Sequence, residues 1–573
     1  MFGGGQVEKK FDVIVLGTGI GGLGCAAALA RKGKKVLMIE QGDRPGGCLQ
    51  PFYPAGGDDP CKLWNLGLQW ICGYDPKETR TMPNDYDNLM YLSSWDEDAA
   101  GDDSKVAKPT LTQFNLDFQF AHFVDEAKDI DFEFTMASNE KEMKRRMIEF
   151  FPEEQKALKR YFGYLEKLQK RVMFIATPKL LPRWLGRILY PVIIFCAFPG
   201  MSIRLFPFTS RSVQSVVENM FLDARLKMII YSNWHFLGMA IDKTPFMFFG
   251  VAQNLQQRGV AYPNGGADTM IRPLMKTVTD AGGEVRCKHS VTQLEVSKGK
   301  LTGVTGTART EEGGDQKFSL MAPVVISSAG IPETLALIDK DQRPRPTEKA
   351  AQKHQDAPSI LALRILYKDG LEPFNLGIAT YRYVFGETSH EYDDPTLRGW
   401  KPRDITINFP SLYDQSGGSC AGARGEVILE TRYEYFEQYA EAYSRGDQLQ
   451  KGTELYDVYQ RISDELVNGM AEYFQRRSGL DIRPHIAQTW LTSPLDVESM
   501  VMHKRGSIYG LDINKAKDMA LQPRSGVKGL YITGEDVFCQ GVTFINGLLT
   551  ASVVLKEWFL ALKIPILKPD DRK

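Results

Sequence analysis

Histidine and cysteine are scarce in this chain, seven and eight in 573 residues. The cysteines, at 25, 48, 61, 72, 196, 287, 420 and 539, form no C-x-x-C pair and no dense framework, and the histidines are dispersed. Neither a zinc centre nor a disulfide scaffold is expected, and a reducing compartment suits the thiols. An excess of one charge is missing too. Lys+Arg (70) balances Asp+Glu (71), so nothing in the overall charge invites nucleic acid. No apolar run reaches the roughly 20 residues of a bilayer span. There is no internal repeat, and the polar opening MFGGGQVEKK reads as a lead-in to the first strand, with no signal peptide expected. What remains is an ordinary globular composition, 43% hydrophobic and 25% charged, in a chain long enough for two or more domains.

The chain is organised around Phe11 to Glu40. Phe11 to Leu16 is an apolar strand, Gly17-Thr-Gly-Ile-Gly-Gly22 fits G-x-G-x-x-G, and Gly24 to Arg31 is a helix of small residues. Val36 to Ile39 is a second strand ending in Glu40. This βαβ unit reads as a dinucleotide site. Gly17 allows the tight turn, Gly19 lets backbone approach a pyrophosphate, and Gly22 lets helix pack on strand. The helix N-terminus offers free N–H groups to phosphate, while Glu40 accepts from ribose hydroxyls and repels a 2′-phosphate. A second glycine pair, Gly46-Gly47, follows Gln41 and shifts the expected cofactor from NAD to FAD.

Further along, Asn65 to Gly73 (NLGLQWICG) is apolar with glycines and is expected to line the flavin cleft, and Asp96 to Asp103 is an acidic, solvated loop. Lys141 to Arg187 carries 13 Lys+Arg against 5 Glu, and Ile188 to Phe198 then runs eleven residues without a charge. Too short to span and interrupted by Pro191, this stretch suits interfacial insertion into an anionic membrane surface over 183–204, flanked by Arg183, Trp184, Arg187 and Arg204. A buried helix beside a solvated basic face is the competing reading. Tyr231 to Gly250, rich in aromatics and Met, either walls a lipid tunnel or is plain core.

After Gly259, a helix at Met270–Ala281 and strands at Glu284–Cys287, Val291–Val296 and Leu301–Gly306 return the chain to the nucleotide domain. The Val324–Ser328 strand breaks at Ala329-Gly330, where backbone can meet the cofactor. Strands are expected at Ile360–Tyr367 and Val427–Tyr433, and amphipathic helices at Glu434–Tyr443 and Thr453–Gln475. Near the end, the strand Gly529–Gly534, the acids Glu535-Asp536, the turn Gly541-Val542-Thr543 and a helix from Phe544 to Leu562 form a second strand-to-helix site. Its acids suit the ribityl hydroxyls and its helix N-terminus suits a reduced isoalloxazine.

Taken together, GTGIGG (17–22), EQGDRPGGC (40–48), YPNGGAD (262–268), VVISSAG (324–330) and GLYITGEDVFCQGV (529–542) resemble the phytoene desaturase, carotenoid isomerase and retinol saturase superfamily. WNLGLQWICG (64–73), FPSLYDQS (409–416), TRYEYFEQY (431–439) and TGEDVF (533–538) look most like retinol saturase, and Cys48 stands where carotenoid desaturases usually have Arg. The resemblance implies an α/β fold: a two-dinucleotide-binding, Rossmann-like FAD domain with an inserted α+β substrate domain, in a p-hydroxybenzoate-hydroxylase-like topology. Segments 11–75, 255–335 and 500–562 would form the discontinuous FAD domain, and 76–254 and 336–499 the substrate and membrane-contacting domain.

By the same resemblance Gly17, Gly19, Gly22, Glu40, Arg44, Gly47, Asp536 and Val542 would hold FAD. The flanking turn positions Ile20, Gly21, Gln41, Gly46, Val291, Ala329, Gly534, Glu535, Gly541 and Thr543 complete the candidate set. The implied partners are an apolar polyene lipid, the cytoplasmic face of a membrane and an external electron donor. The expected chemistry is hydride from reduced FAD to one carbon of a double bond and a proton to its neighbour, or the same half-step run reversibly in an isomerase. Tyr509 and His235 are the candidate proton donors. An FAD amine oxidase, a polyunsaturated fatty acid isomerase and a non-catalytic lipid-binding flavoprotein remain as rivals.

Overall fold

The computed structural model describes residues 11–53, 64–67, 70–74, 76, 85–99, 104–169, 178–197, 211–233, 239–311, 313–368, 370–371, 374, 376–378, 380–385, 404–414, 423–512, 514, 518–537, 543–557, 563–565 and 568. Two sheets dominate it. The first is parallel and five-stranded, in the order Glu284–Arg286, Val36–Ile39, Val13–Leu16, Val324–Ser327, Leu530–Ile532. Its central strands are β-branched and buried on both faces, which is why they read as continuous apolar runs rather than alternating ones.

Helices Ile20–Arg31 and Thr543–Leu555 pack side by side on this sheet, in backbone-to-backbone proximity. A Cβ on Gly24 would lie 2.8 Å from the Phe544 ring, and one on Gly547 would overlap the Gly21 carbonyl. The small residues of the first helix therefore fix where the N-terminus of the last one sits. The opposite face is covered by an antiparallel sheet of His289–Ser297, Lys300–Arg309 and Asp315–Leu320, through Leu294, Leu301, Val304 and Leu320.

The second sheet has seven strands, in the order Ile486–Thr492, Ser359–Tyr367, Ala423–Thr431, Asp404–Asn408, Thr380–Phe385, Asp117–Asp125, Ile130–Ala137. All neighbours are antiparallel except Thr380–Phe385 with Asp117–Asp125. Its central strands are buried on both faces, yet the faces differ. One carries Leu361, Leu363, Tyr381, Tyr383, Ile405, Ile407, Val427 and Leu429, packed against the long helix Glu454–Ser478 through Ile462, Leu466, Met470 and Phe474. That helix is capped by Thr453, whose hydroxyl accepts from Tyr456 N, and closed by Gly479 at φ 71°. The other face alternates with the first and carries Arg364, Arg382, Thr406, Asn408, Glu426 and Glu430, all buried, with Asp404 partly buried among them.

The α/β architecture with a nucleotide-type sheet and an inserted sheet is as expected, with local differences. Strands Asp117–Asp125 and Ile130–Ala137, which the sequence reading left unassigned, complete the second sheet at one edge. In place of an amphipathic helix over Glu434–Tyr443 there are short turns at Tyr433–Tyr435 and Glu437–Tyr439, then a helix only at Ala440–Ser444, because Tyr435 and Phe436 turn inward onto the sheet's apolar face. The last helix ends at Leu555, where Lys556 turns left-handed at φ 58°; residues 558–562 lie outside the described set.

Candidate functional site

The two sheets enclose a cavity of about 640 Å³, within the range of small-molecule sites. At one end lies the turn Gly17–Gly21. Gly17 adopts φ 87°, and a Cβ on Gly22 would sit 2.6 Å from the Gly17 carbonyl, so both glycines are demanded by the backbone. Gly19 is different: the nearest atom to its imagined Cβ is Ser328 Oγ at 3.9 Å, so its position opens on the cavity. The first helical bond, Leu23 N–H to Gly19 O at 2.9 Å, begins after the amides of Ile20, Gly21 and Gly22, which are the donors a phosphate takes. The glycine pair closes over this turn. Gly46 and Gly47 have φ of 121° and 56°, and a Cβ on Gly47 would stand 3.1 Å from Gly19 Cα.

Glu40 is held in place by a residue the motif leaves unspecified. Its carboxylate accepts from Thr18 N (2.9 Å), Thr18 Oγ1 (2.6 Å) and Gly42 N (2.8 Å). The Thr18 hydroxyl in turn accepts from Gly46 N at 3.1 Å. Thr18 thus joins the phosphate turn, the ribose acid and the glycine pair, although it occupies an x position in G-x-G-x-x-G and no sequence signal marks it. A carboxylate has about four acceptor sites, so Glu40 keeps capacity for a ribose hydroxyl.

The other candidates divide. Ile20, Gly21, Gln41, Val291, Ala329, Gly534, Glu535, Asp536 and Thr543 line the same cavity, as do Gly17, Gly19, Glu40, Gly46 and Gly47. Gln41 Nε2 donates to the Met502 carbonyl at 3.2 Å. Gly22 supports the turn from behind. Arg44 is exposed, outside the cavity lining, with its guanidinium 5.2 Å from the Tyr53 ring centroid. Asp536, 2% exposed, accepts from Ile331 N (2.7 Å) and Leu511 N (2.8 Å), which welds the turn after Val324–Ser327 to the segment carrying Tyr509. Gly541, Val542 and His235 lie outside the described residues. A dinucleotide fits this end on three counts: open backbone at Gly19, free helix-start amides, and a carboxylate at the ribose position.

Tyr509 lines the middle of the cavity near Cys48 and Glu535. Burial pushes its hydroxyl well above the usual phenol range, with Glu430, Glu535 and Cys48 adding. Burial, followed by the charge of Glu535, pushes the Cys48 thiol up to about 12. The far wall is apolar: Trp70, Ile71, Phe248, Val251, Ala252 and Leu255. Among the described residues of the Tyr231–Gly250 stretch, Phe248 alone lines the cavity, and Tyr231, Phe246, Met247 and Phe249 belong to the adjoining core.

The floor is the polar face of the seven-stranded sheet. Arg382 Nε donates to Asp404 Oδ1 at 2.7 Å, with a second, shorter bond from its Nη2 to Asp404 Oδ2. Glu430 stands beside this pair. None of these three was singled out from the sequence, because they lie on separate strands 22 and 26 residues apart (404 − 382; 430 − 404) and carry no motif.

At the surface, helix Arg183–Ala197 exposes Trp184 (67%), Ile188 (61%) and Val192 (53%), spaced by four and therefore on one face. Arg187 beside them is exposed, whereas Arg183 turns inward and donates to Thr347 Oγ1 and to the Arg524 and Ser525 carbonyls, both at 2.9 Å. Arg183 thus anchors the helix to the body and is no membrane flank; the expected segment beyond 197 lies outside the described residues. No helix among the described residues is long and apolar enough to cross a membrane.

Residues 15–84 match the family model of an NAD(P)-binding Rossmann-like domain. Over 97% of its length the chain is 25% identical to human all-trans-retinol 13,14-reductase, of which 87% is covered. It is 24% identical to prolycopene isomerase of Daucus carota over 98% of this chain and 82% of that one. A solved structure of putrescine oxidase with putrescine shares the fold at a TM-score of 0.56 and 14% identity, covering 96% of this chain and 99% of the other. From the phosphate turn to the closing helix, the chain is similar to all-trans-retinol 13,14-reductases and prolycopene isomerase, and over part of its length to a phytoene desaturase of Rhodobacter capsulatus.

Proposed function

We propose that this protein is an FAD-dependent oxidoreductase that saturates a carbon–carbon double bond of an apolar polyene of retinoid or carotenoid type. The observation that carries this reading is the continuity of the cavity: one space of about 640 Å³ joins a dinucleotide cradle to an apolar wall of Trp70, Phe248, Val251 and Leu255. The all-trans-retinol 13,14-reductases among its relatives support the substrate class. When bound, FAD would supply hydride chemistry at its ring nitrogen. The chain's own contributions are separate. The 17–22 turn and Gly46-Gly47 hold the pyrophosphate, Glu40 orients the ribose, and the N-terminus of helix Thr543–Leu555 favours negative charge on the ring system. The apolar wall excludes water and aligns the polyene.

In the same proposal, segments 11–75, 255–335 and 500–562 serve the cofactor, and 76–254 and 336–499 serve substrate and membrane. The exposed Trp184–Ile188–Val192 stripe supports peripheral contact with an anionic, cytoplasmic membrane surface, from which the substrate is drawn. The electron donor is external.

A second reading, redox-neutral isomerisation, is favoured by the likeness to prolycopene isomerase. Anaerobic incubation of the reduced, FAD-loaded protein with all-trans-retinol, prolycopene and a polyunsaturated fatty acid, followed by mass spectrometry, separates the two. A product two hydrogens heavier establishes saturation, and an equal-mass product with shifted retention establishes isomerisation. No change with any of them refutes both.

A further inference from the structure

We propose that Glu430 is the acid that protonates the substrate double bond, an assignment that rests on the polyene reading above. Glu430 sits on strand Ala423–Thr431, on the sheet face that floors the cavity, and lines it together with Tyr509, Arg382 and Asp404. It is 7% exposed, and neither of its carboxyl oxygens has a hydrogen-bond partner. Leaving a buried polar group unmade costs about 1–3 kcal/mol, and an unpartnered buried carboxyl on a cavity wall marks a place where a function is being served.

The surroundings favour the protonated form of this group. Arg382, the cation whose charge reaches Glu430, turns its Nε and Nη2 to Asp404 and leaves Nη1 without a hydrogen-bond partner. Register brings Asp404 close: Thr406 pairs with Ile428, and two residues along each strand stand Asp404 and Glu430, so a carboxylate faces Glu430 as well. Burial pushes the Glu430 carboxyl well above the ordinary carboxylate range, against the pull of Arg382 and with the push of Asp404. The groups beside it are poorer donors. Asp404 is engaged by Arg382 through two bonds. Tyr509 and Cys48 hold protons, but their ordinary values of about 10 and 8.5 start far above the 4.3 of a glutamic acid, and burial raises all three. Location favours Glu430 too, since Tyr509 lies within electrostatic reach of Glu430 on one side and of Cys48 and Glu535, at the nucleotide end, on the other.

The step balances as follows. Hydride reaches one carbon of the double bond from a dihydroflavin, which is oxidised to flavin. The π electrons form the second new C–H bond with the Glu430 proton at the neighbouring carbon. The carboxyl O–H bond breaks, leaving a carboxylate that regains its proton from water. In an isomerase the same carboxyl would give and retake that proton.

The test compares wild type, Glu430→Gln and Glu430→Asp. Infrared difference spectra of the FAD-free proteins at neutral pH report the protonated carboxyl directly. The wild type minus Glu430→Gln spectrum should contain a carboxylic acid C=O band that shifts in D2O. In single turnovers of the dithionite-reduced, FAD-loaded proteins with all-trans-retinol and prolycopene, Glu430→Gln should bind FAD unchanged yet react about 10²–10⁴-fold more slowly. Glu430→Asp, still an acid, should fall between. Absence of the band, or equal rates in wild type and Glu430→Gln, would overturn the assignment while leaving the polyene reading intact. A wild type inert toward every polyene would overturn that reading and the donor role with it.

Discussion

Replacing Trp184, Ile188 and Val192 together by alanine should release the protein from anionic vesicles while leaving it folded. Fully burying a side chain of this size gains about 1.5–3 kcal/mol. The three are 67%, 61% and 53% exposed, so each has about 1–2 kcal/mol left to gain from a lipid surface, or about 3–5 in sum. The alanine methyls keep part of it, which leaves a loss of about 2–3 kcal/mol, a weakening of about 30- to 150-fold. Alanine is the best helix former, and exposed substitutions stay within about 0.5 kcal/mol in stability, so the thermal midpoint is an internal control. Co-sedimentation with phosphatidylcholine–phosphatidylserine vesicles reads the effect. Arg187, exposed beside the stripe, should add about 1 kcal/mol that high salt removes. Unchanged pelleting of the triple variant would refute the stripe as the membrane contact.

Gly22→Ala should abolish retention of the flavin, because its Cβ would meet the Gly17 carbonyl at 2.6 Å and the turn must open; a yellow purified variant would contradict this. Thr18→Val removes one donor to Glu40 and the acceptor for Gly46 N and should weaken FAD binding by about tenfold, at roughly 1 kcal/mol or more for linked hydrogen bonds; equal affinity by fluorescence titration would take Thr18 out of the site. His354, hydrogen-bonded to Asp512 Oδ1 at 3.0 Å and near Asp518, is pushed up to about 9 by those partners. Its folded value exceeds its unfolded one, so its stabilisation is complete below about 6.5 and fades as pH rises through about 9. Thermal midpoints measured from pH 6 to 10 should slope downward in wild type and less in His354→Asn; parallel curves would exclude His354 as the source.

Legibility in the sequence followed the range of the interaction. The βαβ unit was readable because a buried parallel strand, a glycine turn and a second strand are contiguous and each constraint is local. Thr18 was not, since its importance lies in what it joins: Glu40 at 22 residues' distance and Gly46 at 28. The cavity floor was hidden for the same reason. Arg382, Asp404 and Glu430 become neighbours only through strand register, and taken singly each looks like a charge in a β-rich stretch. Asp536 was legible as an acid at a strand end, but its two bonds to Ile331 and Leu511 amides show that it also joins two turns. Arg183 was misread because the pattern that suggests a basic membrane flank is blind to a side chain that folds back onto carbonyls of residues more than 330 positions away.

The order of strands in the parallel sheet has a consequence for biosynthesis. Val13–Leu16 cannot pair with Val324–Ser327 until more than 300 residues have followed it, and the edge strand Leu530–Ile532 comes more than 200 residues later still. The aspartate that ties the turns together and the helix whose N-terminus borders the cavity emerge later still. Until these segments are made, the phosphate turn exists without the wall that faces it. In the cofactor-binding reading proposed above, the cradle is therefore complete only once these distant segments have joined the sheet.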